Sequence, residues 1–365
     1  MLERPSQIER LKSELQLKDL GKLDPEQVAV LAKREFAVYF ENPRMLDEAV
    51  SLGTVLFDYA FYHNYFKDNL FSLFLYRVLD VYHQAKRLNP TTCFHFFGLC
   101  QPSISGAHHN VACMAHLERP KSVDRMDLLT KTILQESGDL IEGTLAPHIK
   151  LILGMQRIAH GELSAKALVD QMESVSLGDA VAQMFSVHED FKILYRDLFC
   201  GVPLNQWRNI AFHASYMVTG DQVECRYGND NSLVVNLDRS RLTQVGIGIH
   251  HVGYMHKMAH IIFLCDNRDD ISPFLPHHEM KDDTIVIQIV ESCFGHGCEV
   301  LSCNKVDDIW EVTVRDLLGR NMSNIRSLLS DMLCLLSGIS PGGMRMNLVA
   351  SDGGTVILTT SSCRY

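Results

Sequence analysis

The sequence predicts a mainly α-helical protein: a helical bundle with a β-hairpin insertion, followed by a small C-terminal α/β domain. Two observations support this class. Apolar residues recur at three- and four-residue steps through most of the chain up to Asp266, which is the spacing of a helix buried on one face. From Thr284 onward, alternating and β-branched runs replace that spacing, and such runs are typical of strands.

Residues 1–120 are predicted as a helical N-terminal region that docks or senses a partner. One helix is expected to begin at Pro25, because proline suits the first helical position and Asp24 is a candidate N-cap. Two further helical runs cover 43–63 and 65–87. The stretch 97–110 is rich in glycine, serine, proline and histidine, and is therefore predicted as a loop.

Residues 121–268 are predicted as the bundle itself. Leucine and isoleucine recur at helical spacing through 124–161, and Pro147 is expected to kink or divide that run. Further helices are expected at 163–172, 177–185 and 188–201.

The helix after these begins near Pro203 and is expected to include Gln206–Tyr216, QWRNIAFHASY. The period then changes from 3.6 to 2. Two runs, 222–228 and 232–238, are separated by a turn signal and predict the β-hairpin. Helical spacing returns over 241–266.

A linker is predicted at 269–283, and the C-terminal α/β domain at 284–365. Within that domain we expect strands around one helix; the strands are 284–290, 309–314, 344–350 and 355–360, and the helix is 324–338.

Composition limits the classes of function. The net charge of −10 argues against broad electrostatic binding of nucleic acid, although a local basic site remains possible. No window reaches the roughly 18 apolar residues of a membrane span, and the N-terminus lacks the apolar core of a signal peptide. Eleven cysteines without framework spacing are typical of reduced, buried thiols. We therefore expect a cytoplasmic protein without a membrane partner.

Three polar residues interrupt the apolar helix at 206–216. Asn209 and His213 are four residues apart and should share one helix face, while the long side chain of Arg208 can reach the same patch. Arginine matches phosphate oxygens, and histidine can move a proton near neutral pH. Because the 2′-hydroxyl of RNA is an internal nucleophile, this trio predicts phosphodiester cleavage without a metal or other cofactor.

The hexapeptide RNIAFH resembles the R-x4-H signature of HEPN domains, and the helical context and following hairpin extend that resemblance over 124–266. The resemblance implies that Arg208 and His213 are catalytic and that Asn209 is the polar residue beside the arginine. It further implies a metal-independent endoribonuclease with an RNA substrate, acting as a homodimer in a toxin or antiviral defence role, with an antitoxin or sensor protein as a further partner. The alternative is a non-catalytic HEPN-like scaffold, since some members of the family have lost catalysis.

HEPN-like bundles often carry acidic residues on an early helix that can orient the arginine, so the resemblance makes such residues candidate partners of Arg208. Glu136, Asp139 and Glu142 fall on one stripe, so Glu136 or Glu142 could hold Arg208 in place. The alternative is an ordinary solvated helix face. Tyr216, at the end of the stretch, is a third supporting candidate.

Two further stretches contain histidines that could bind a metal. The segment 93–116 is rich in cysteine and histidine, and Cys113 and His116 have a spacing that suits zinc, but the paired frame of a zinc site is missing, which favours a loop without metal. His256 and His260 share a helix face without the glutamate of H-E-x-x-H. We interpret them as packing histidines, with lining of a cleft near His213 as the alternative, and predict no metal ligands.

Overall fold

The fold is mainly α with two small β-sheets, which confirms the predicted class. In the part of the chain that the structure describes, no helix has the length and apolar character needed to cross a membrane. The computed structural model describes residues 25–51, 55–67, 70–115, 125–162, 164–275, 285–286, 289–290, 293, 298–307, 309–316, 344–349 and 355–360.

The chain divides into two compact units: a split unit formed by 1–67 with 278–365, and a central unit formed by 68–277. The split unit has helices α1 (Pro25–Phe36), α2 (Pro43–Ser51) and α3 (Leu56–Phe61), with a π-helical turn at Tyr62–Phe66. The predicted start of α1 at Pro25 is confirmed, whereas Asp24 lies outside the described residues.

The central unit holds all the elements that build the candidate site. Its helices are α4 (Leu70–Leu88), α5 (Pro90–Ala115), α6 (Met126–Leu140), α7 (Ala146–Ala159), α8 (Ala165–Ser174), α9 (Leu177–Val187), α10 (Glu189–Tyr195), α11 (Leu204–Phe212), α12 (Arg239–Asp266) and α13 (Arg268–Ile271). A π-helical turn at Ile141–Leu145 joins α6 to α7, and 3-10 turns lie at Asp197–Phe199, Asn229–Asn231 and Ser272–Phe274.

These units differ from the predicted domains, which placed boundaries at 120/121 and 268/269. The reason is that α4 packs on α7 and α12, and α5 packs on α7 and α8, so both helices belong to the core of the central unit rather than to a separate N-terminal region. At the other end, α13 and the turn after it pack against α5.

The predicted loop at 97–110 is wrong, because α5 is helical throughout this stretch. Cys93, Phe97, Ile104 and Ala107 are buried, whereas Pro102 lies exposed. Burial of one helix face therefore outweighs the cost of an internal proline, which is about 3 kcal/mol.

The predicted linker at 269–283 also differs in part. Its first residues are ordered in α13 and the 3-10 turn, where Ile271 is fully buried and the ring of Phe274 stacks on His95 at 5.3 Å. Packing of these two apolar side chains explains why residues 269–275 are not an extended connection.

An antiparallel sheet of three strands follows α11 in the central unit: β1 (Tyr216–Thr219), β2 (Gln222–Tyr227) and β3 (Leu233–Asp238), in the order β1-β2-β3. The predicted hairpin is confirmed as β2 and β3. Strand β1 is an addition, because it takes residues that were expected to continue the preceding helix. Val223, Cys225 and Leu237 bury one face of this sheet.

The second sheet belongs to the split unit and has the order β4-β5-β6-β7, with β5 and β6 parallel and the outer pairs antiparallel. Three predicted strands, at 309–314, 344–350 and 355–360, are confirmed, and the predicted helix at 324–338 lies outside the described residues. The strands are β4 (Cys298–Val306), β5 (Ile309–Asp316), β6 (Met344–Val349) and β7 (Thr355–Thr360).

The predicted strand at 284–290 is wrong, because the described residues of this segment are helical. Ile285, Ile289 and Cys293 recur at four-residue steps and are buried against the second sheet. A β-branched run can therefore form a helix when its burial follows helical spacing, since packing overrides intrinsic preference.

Candidate functional site

Helix α11 carries the sequence motif and is anchored by its apolar face. The carbonyl of Pro203 accepts hydrogen bonds from the backbone of Gln206 and Trp207, which starts the helix where the proline predicted it. Leu204, Trp207 and Ile210 are fully buried. The Trp207 indole N–H also donates to the Phe199 carbonyl at 3.3 Å, so this helix has one fixed orientation.

A glycine on α6 lets α11 approach closely. A Cβ added at Gly138 would stand 2.9 Å from the Cβ of Ala211 and 3.2 Å from the Phe212 ring, closer than ordinary van der Waals contact. Only a residue without a side chain fits there. This approach brings the last turns of α11 beside the end of α6.

Arg208 is the best-defined group of the site. Its Nε donates to Oε2 of Glu142 at 2.9 Å, and its Nη1 donates to Oδ1 of Asn209 at 3.3 Å. Its Cζ lies 5.1 Å from the centroid of the Phe212 ring, within cation–π range. The side chain remains 35% exposed, and its Nη2 has no hydrogen-bond partner among the described residues. The guanidinium is thus oriented but accessible.

Glu142 reaches Arg208 from the π-helical turn between α6 and α7. Pro147 has no N–H to bond the carbonyl of Gly143, and the side-chain amide of Asn110 donates to that carbonyl instead, at 3.0 Å. The hydroxyl of Thr144 donates to the carbonyl of Ala107 at 3.2 Å. The run that was expected to kink or divide at Pro147 thus stays helical, with a π-helical turn just before the proline, and α5 supports this irregular turn.

The structure thus pairs Arg208 with Glu142, one of the two acids that the sequence suggested. The other acid, Glu136, lies earlier on α6 and is half-buried. Asp139, the third member of that stripe, is exposed.

His213 does not lie within the helix, which corrects the prediction that 206–216 is helical throughout. Helix α11 ends at Phe212, and His213 is its C-cap residue, with its N–H bonded to the Asn209 carbonyl at 2.9 Å. The four-residue relation between Asn209 and His213 is therefore kept. The imidazole is exposed and has no hydrogen-bond partner in the described part of the chain.

A Schellman turn closes the helix and positions His213. Ala214 has a left-handed φ of +49°, and the Ser215 N–H bonds the Ile210 carbonyl at 3.1 Å. Tyr216 then begins β1, where it pairs with Cys225 and is half-buried. The tyrosine is therefore a strand residue just after the motif.

The left-handed alanine gives a stability prediction. We expect Ala214→Gly to raise the free energy of unfolding by about 0.5–1 kcal/mol, because glycine adopts positive φ without the steric penalty of a Cβ. The matched control, Ala211→Gly in α11, should lower it by a similar amount. Chemical denaturation followed by circular dichroism measures both changes. A destabilisation by Ala214→Gly would contradict this description of the turn.

The cysteine- and histidine-rich stretch at 93–116 is helical up to Ala115; the Cys93 side chain is buried and the Cys100 side chain is partly exposed. Burial raises the pKa of Cys93 and Cys100 to about 12, and the Cys93 thiol lies 3.6 Å from the Met155 sulfur. Since metals bind thiolates, these two are poor ligands at neutral pH. The side chain of Cys113, and His116, lie outside the described residues.

Interior histidines were only partly recognised in the sequence. His256 and His260 are buried on α12, as the packing interpretation predicted, and His148 on α7 is also buried. Burial lowers the pKa of His148 to about 3, and burial followed by neighbouring histidines lowers the pKa of His256 and His260 well below the usual range. These imidazoles are therefore neutral at pH 7.

No protein-family model, no curated protein and no solved structure matches this chain. The proposed function of this chain therefore rests on its own residues and their geometry.

Proposed function

We propose that this protein is a metal-independent endoribonuclease of the HEPN type, with Arg208, Asn209 and His213 at its active site. One observation carries the proposal: Asn209 connects the other two residues. Its side-chain oxygen accepts from the Arg208 guanidinium, and its backbone carbonyl accepts from the His213 N–H. An oriented cation and an accessible imidazole are thus held at the end of one helix.

In this reaction, the 2′-hydroxyl of RNA attacks the adjacent phosphorus and the bond to the 5′-oxygen breaks. A base removes the hydroxyl proton, and an acid gives a proton to the leaving oxygen, as in general acid–base catalysis. His213 serves one of these roles, and the guanidinium of Arg208 stabilises the charge that develops on the phosphate. The products are a 2′,3′-cyclic phosphate and a 5′-hydroxyl.

A second copy of the chain would complete the site. The motif supplies one histidine, whereas the reaction needs a base and an acid. Phe212 and Met217 flank His213 in sequence and are 45% and 56% exposed, and exposed apolar side chains favour burial against a partner. We therefore propose a homodimer in which two motif turns face one RNA groove, with a toxin or antiviral defence role and an antitoxin or sensor as its regulator.

The test is cleavage of labelled RNA by the purified full chain in the presence of a chelator. Support would be cleavage products that carry a 2′,3′-cyclic phosphate, found by mass spectrometry, and loss of cleavage when the scissile nucleotide is 2′-deoxy. Sedimentation should show a dimer at active concentrations. Cleavage that needs an added divalent ion, or a strict monomer that still cuts RNA, would contradict the proposal.

Glu142 is expected to act as a positioning residue. We predict that Glu142→Gln lowers the cleavage rate roughly tenfold, because the guanidinium loses the charge-assisted bond that orients it. The free energy of unfolding should change by less than about 1 kcal/mol, since both partners are partly exposed. Single-turnover kinetics and thermal melting measure the two effects.

The matched control is Asp139→Asn, an exposed acid on α6. It should leave the rate unchanged. Equal rates for Glu142→Gln and the wild type would remove Glu142 from the site.

A non-catalytic binding module is the second candidate, and one observation favours it. Arg208 already uses Nε and Nη1 within the chain and lies over Phe212, as a structural ion pair would. In that case, the exposed turn at 212–217 binds a protein partner, RNA is not cut, and Arg208→Ala lowers stability rather than activity.

A further inference from the structure

Four histidine rings meet in the core of the central unit, from three different helices. His108 comes from α5, His148 from α7, and His256 and His260 from α12; we call them the histidine cluster. The His148 ring centroid lies 5.4 Å from that of His108, 5.6 Å from that of His256 and 6.0 Å from that of His260. The rings of His108 and His260 are 4.9 Å apart.

The cluster contains buried ring nitrogens without hydrogen-bond partners among the described residues. These are Nε2 of His108, both nitrogens of His148, and Nδ1 of His256 and of His260. The exposed fractions of His148, His256 and His260 are 0%, 0% and 2%. Nearly all buried polar atoms in proteins are satisfied, so five such atoms in one place point to a missing partner.

We propose that the histidine cluster binds one first-row transition-metal ion. The donor set consists of imidazole nitrogens, which zinc, copper, nickel and iron(II) accept. Zinc–nitrogen bonds of 2.0–2.1 Å would place the ring centroids of two ligands on a tetrahedral ion about 5.2 Å apart. Four of the six ring pairs are 4.9–6.0 Å apart, on both sides of that value.

The outer nitrogens of two rings are already held, as they are in most histidine metal sites. The hydroxyl of Tyr195 lies 2.9 Å from Nε2 of His256, and the side-chain amide of Gln101 lies 2.9 Å from Nε2 of His260. At His256, the Tyr195 hydroxyl can accept from Nε2–H and so leave Nδ1 for the ion. At His260, ligation through Nδ1 requires the Gln101 amide to turn over, so that its oxygen instead of its nitrogen faces Nε2–H. His256 and His260 are also one helical turn apart, so both point from the same face of α12.

Binding requires the rings to turn. His148 is nearly parallel to its neighbours, with interplanar angles of 22° to His108 and 12° to His256, whereas ligand rings must direct a nitrogen at one shared point. Rotation about χ2 accomplishes this, because that torsion of histidine is broad.

The ion is separate from the proposed cleavage chemistry, so its test uses metal content rather than RNA. Purified full-length protein is incubated with Zn²⁺ or with Cu⁺ under reducing conditions, desalted, and analysed by mass spectrometry for metal per chain. We expect about one ion per chain for the wild type, and at least tenfold weaker binding for His148→Gln and His256→Gln. Circular dichroism checks that each variant folds.

His160→Gln is the matched control, because His160 is the exposed C-cap residue of α7, the helix that carries His148. It should bind the ion as the wild type does. Co²⁺ gives a measurement that needs no variant: intense visible bands, displaced by one equivalent of Zn²⁺, would support a four-coordinate nitrogen site.

Three results would overturn the proposal. The first is a wild type that retains no ion after desalting. The second is equal metal content in folded His148→Gln and in His160→Gln. The third is a Co²⁺ spectrum dominated by thiolate charge-transfer bands, which would place the ion on cysteines instead.

Discussion

Replacing His213 by alanine is expected to lower the rate of RNA cleavage at least about a hundredfold, the usual contribution of a general acid or base. The exposed imidazole makes no hydrogen bond to the described residues, so its removal should shift the melting temperature by less than about 2 °C. Single-turnover cleavage and thermal melting of the same preparation measure both quantities.

Arg208→Ala should produce a comparable loss of rate, and Arg208→Lys should restore little of it, because a lysine ammonium cannot reproduce the planar fork that Glu142 and Asn209 orient. His160→Ala, at another exposed helix end, serves as the control and should cut RNA normally. If His213→Ala and the wild type cleave RNA at equal rates, catalysis by this motif is ruled out and the binding module becomes the better account.

Replacing Trp207 by alanine is expected to lower the free energy of unfolding of the central unit by about 3–5 kcal/mol. The indole is fully buried under α11, and its N–H is bonded to the Phe199 carbonyl. Truncation leaves a large cavity and an unsatisfied carbonyl. RNA cleavage should be lost as well, because Trp207 anchors the helix that carries Arg208 and its removal leaves that helix without a fixed position.

Chemical denaturation followed by circular dichroism measures the wild type, Trp207→Ala and Trp207→Phe in the same way, since neither variant retains the Trp207 indole as a fluorescent reporter. Trp207→Phe keeps most of the buried volume and should be less than half as destabilising as alanine. Equal effects of the two substitutions would show that volume is not the stabilising factor.

Much of the helical framework was predictable, because its signals are local. Pro203 begins α11 where proline is expected, and the long apolar period of α12 matches the observed helix. The resemblance to HEPN domains and the acidic stripe suggested Glu136 or Glu142 as the partner of Arg208, and Glu142 is that partner. In each of these cases the packing agrees with the local preference.

The end of α11 was not predictable, because its Schellman turn lacks the usual signal. Such turns most often place glycine at the left-handed position, whereas this chain has Ala214 there. No proline, glycine or asparagine follows His213 before Tyr216. The helical spacing of apolar residues therefore predicted that the helix extends to the residue at which strand β1 begins. Strand β1 then pairs with β2, the strand that directly follows it, across a tight turn at Gly220.

The helix at Pro90–Ala115 and the histidine cluster were missed for a related reason. Glycine, serine and proline usually mark loops, but here the stretch is buried on one face by helices far away in sequence. His108 and His148 are forty residues apart, and only the packing of α5 on α7 brings them together. A contact between residues that are far apart in the sequence cannot be predicted from their spacing.

The π-helical turn at Ile141–Leu145 makes the contact between Glu142 and Arg208 sensitive to the deletion of a single residue. Such a turn contains one more residue than an α-helix needs, so the residues before it are offset by one position, about 100° of rotation, from the residues after it. Deleting one residue within the turn would rotate the residues before it relative to those after it and swing the carboxylate of Glu142 away from Arg208. The contact between Arg208 and Glu142 therefore depends on the number of residues in this turn as well as on their identities.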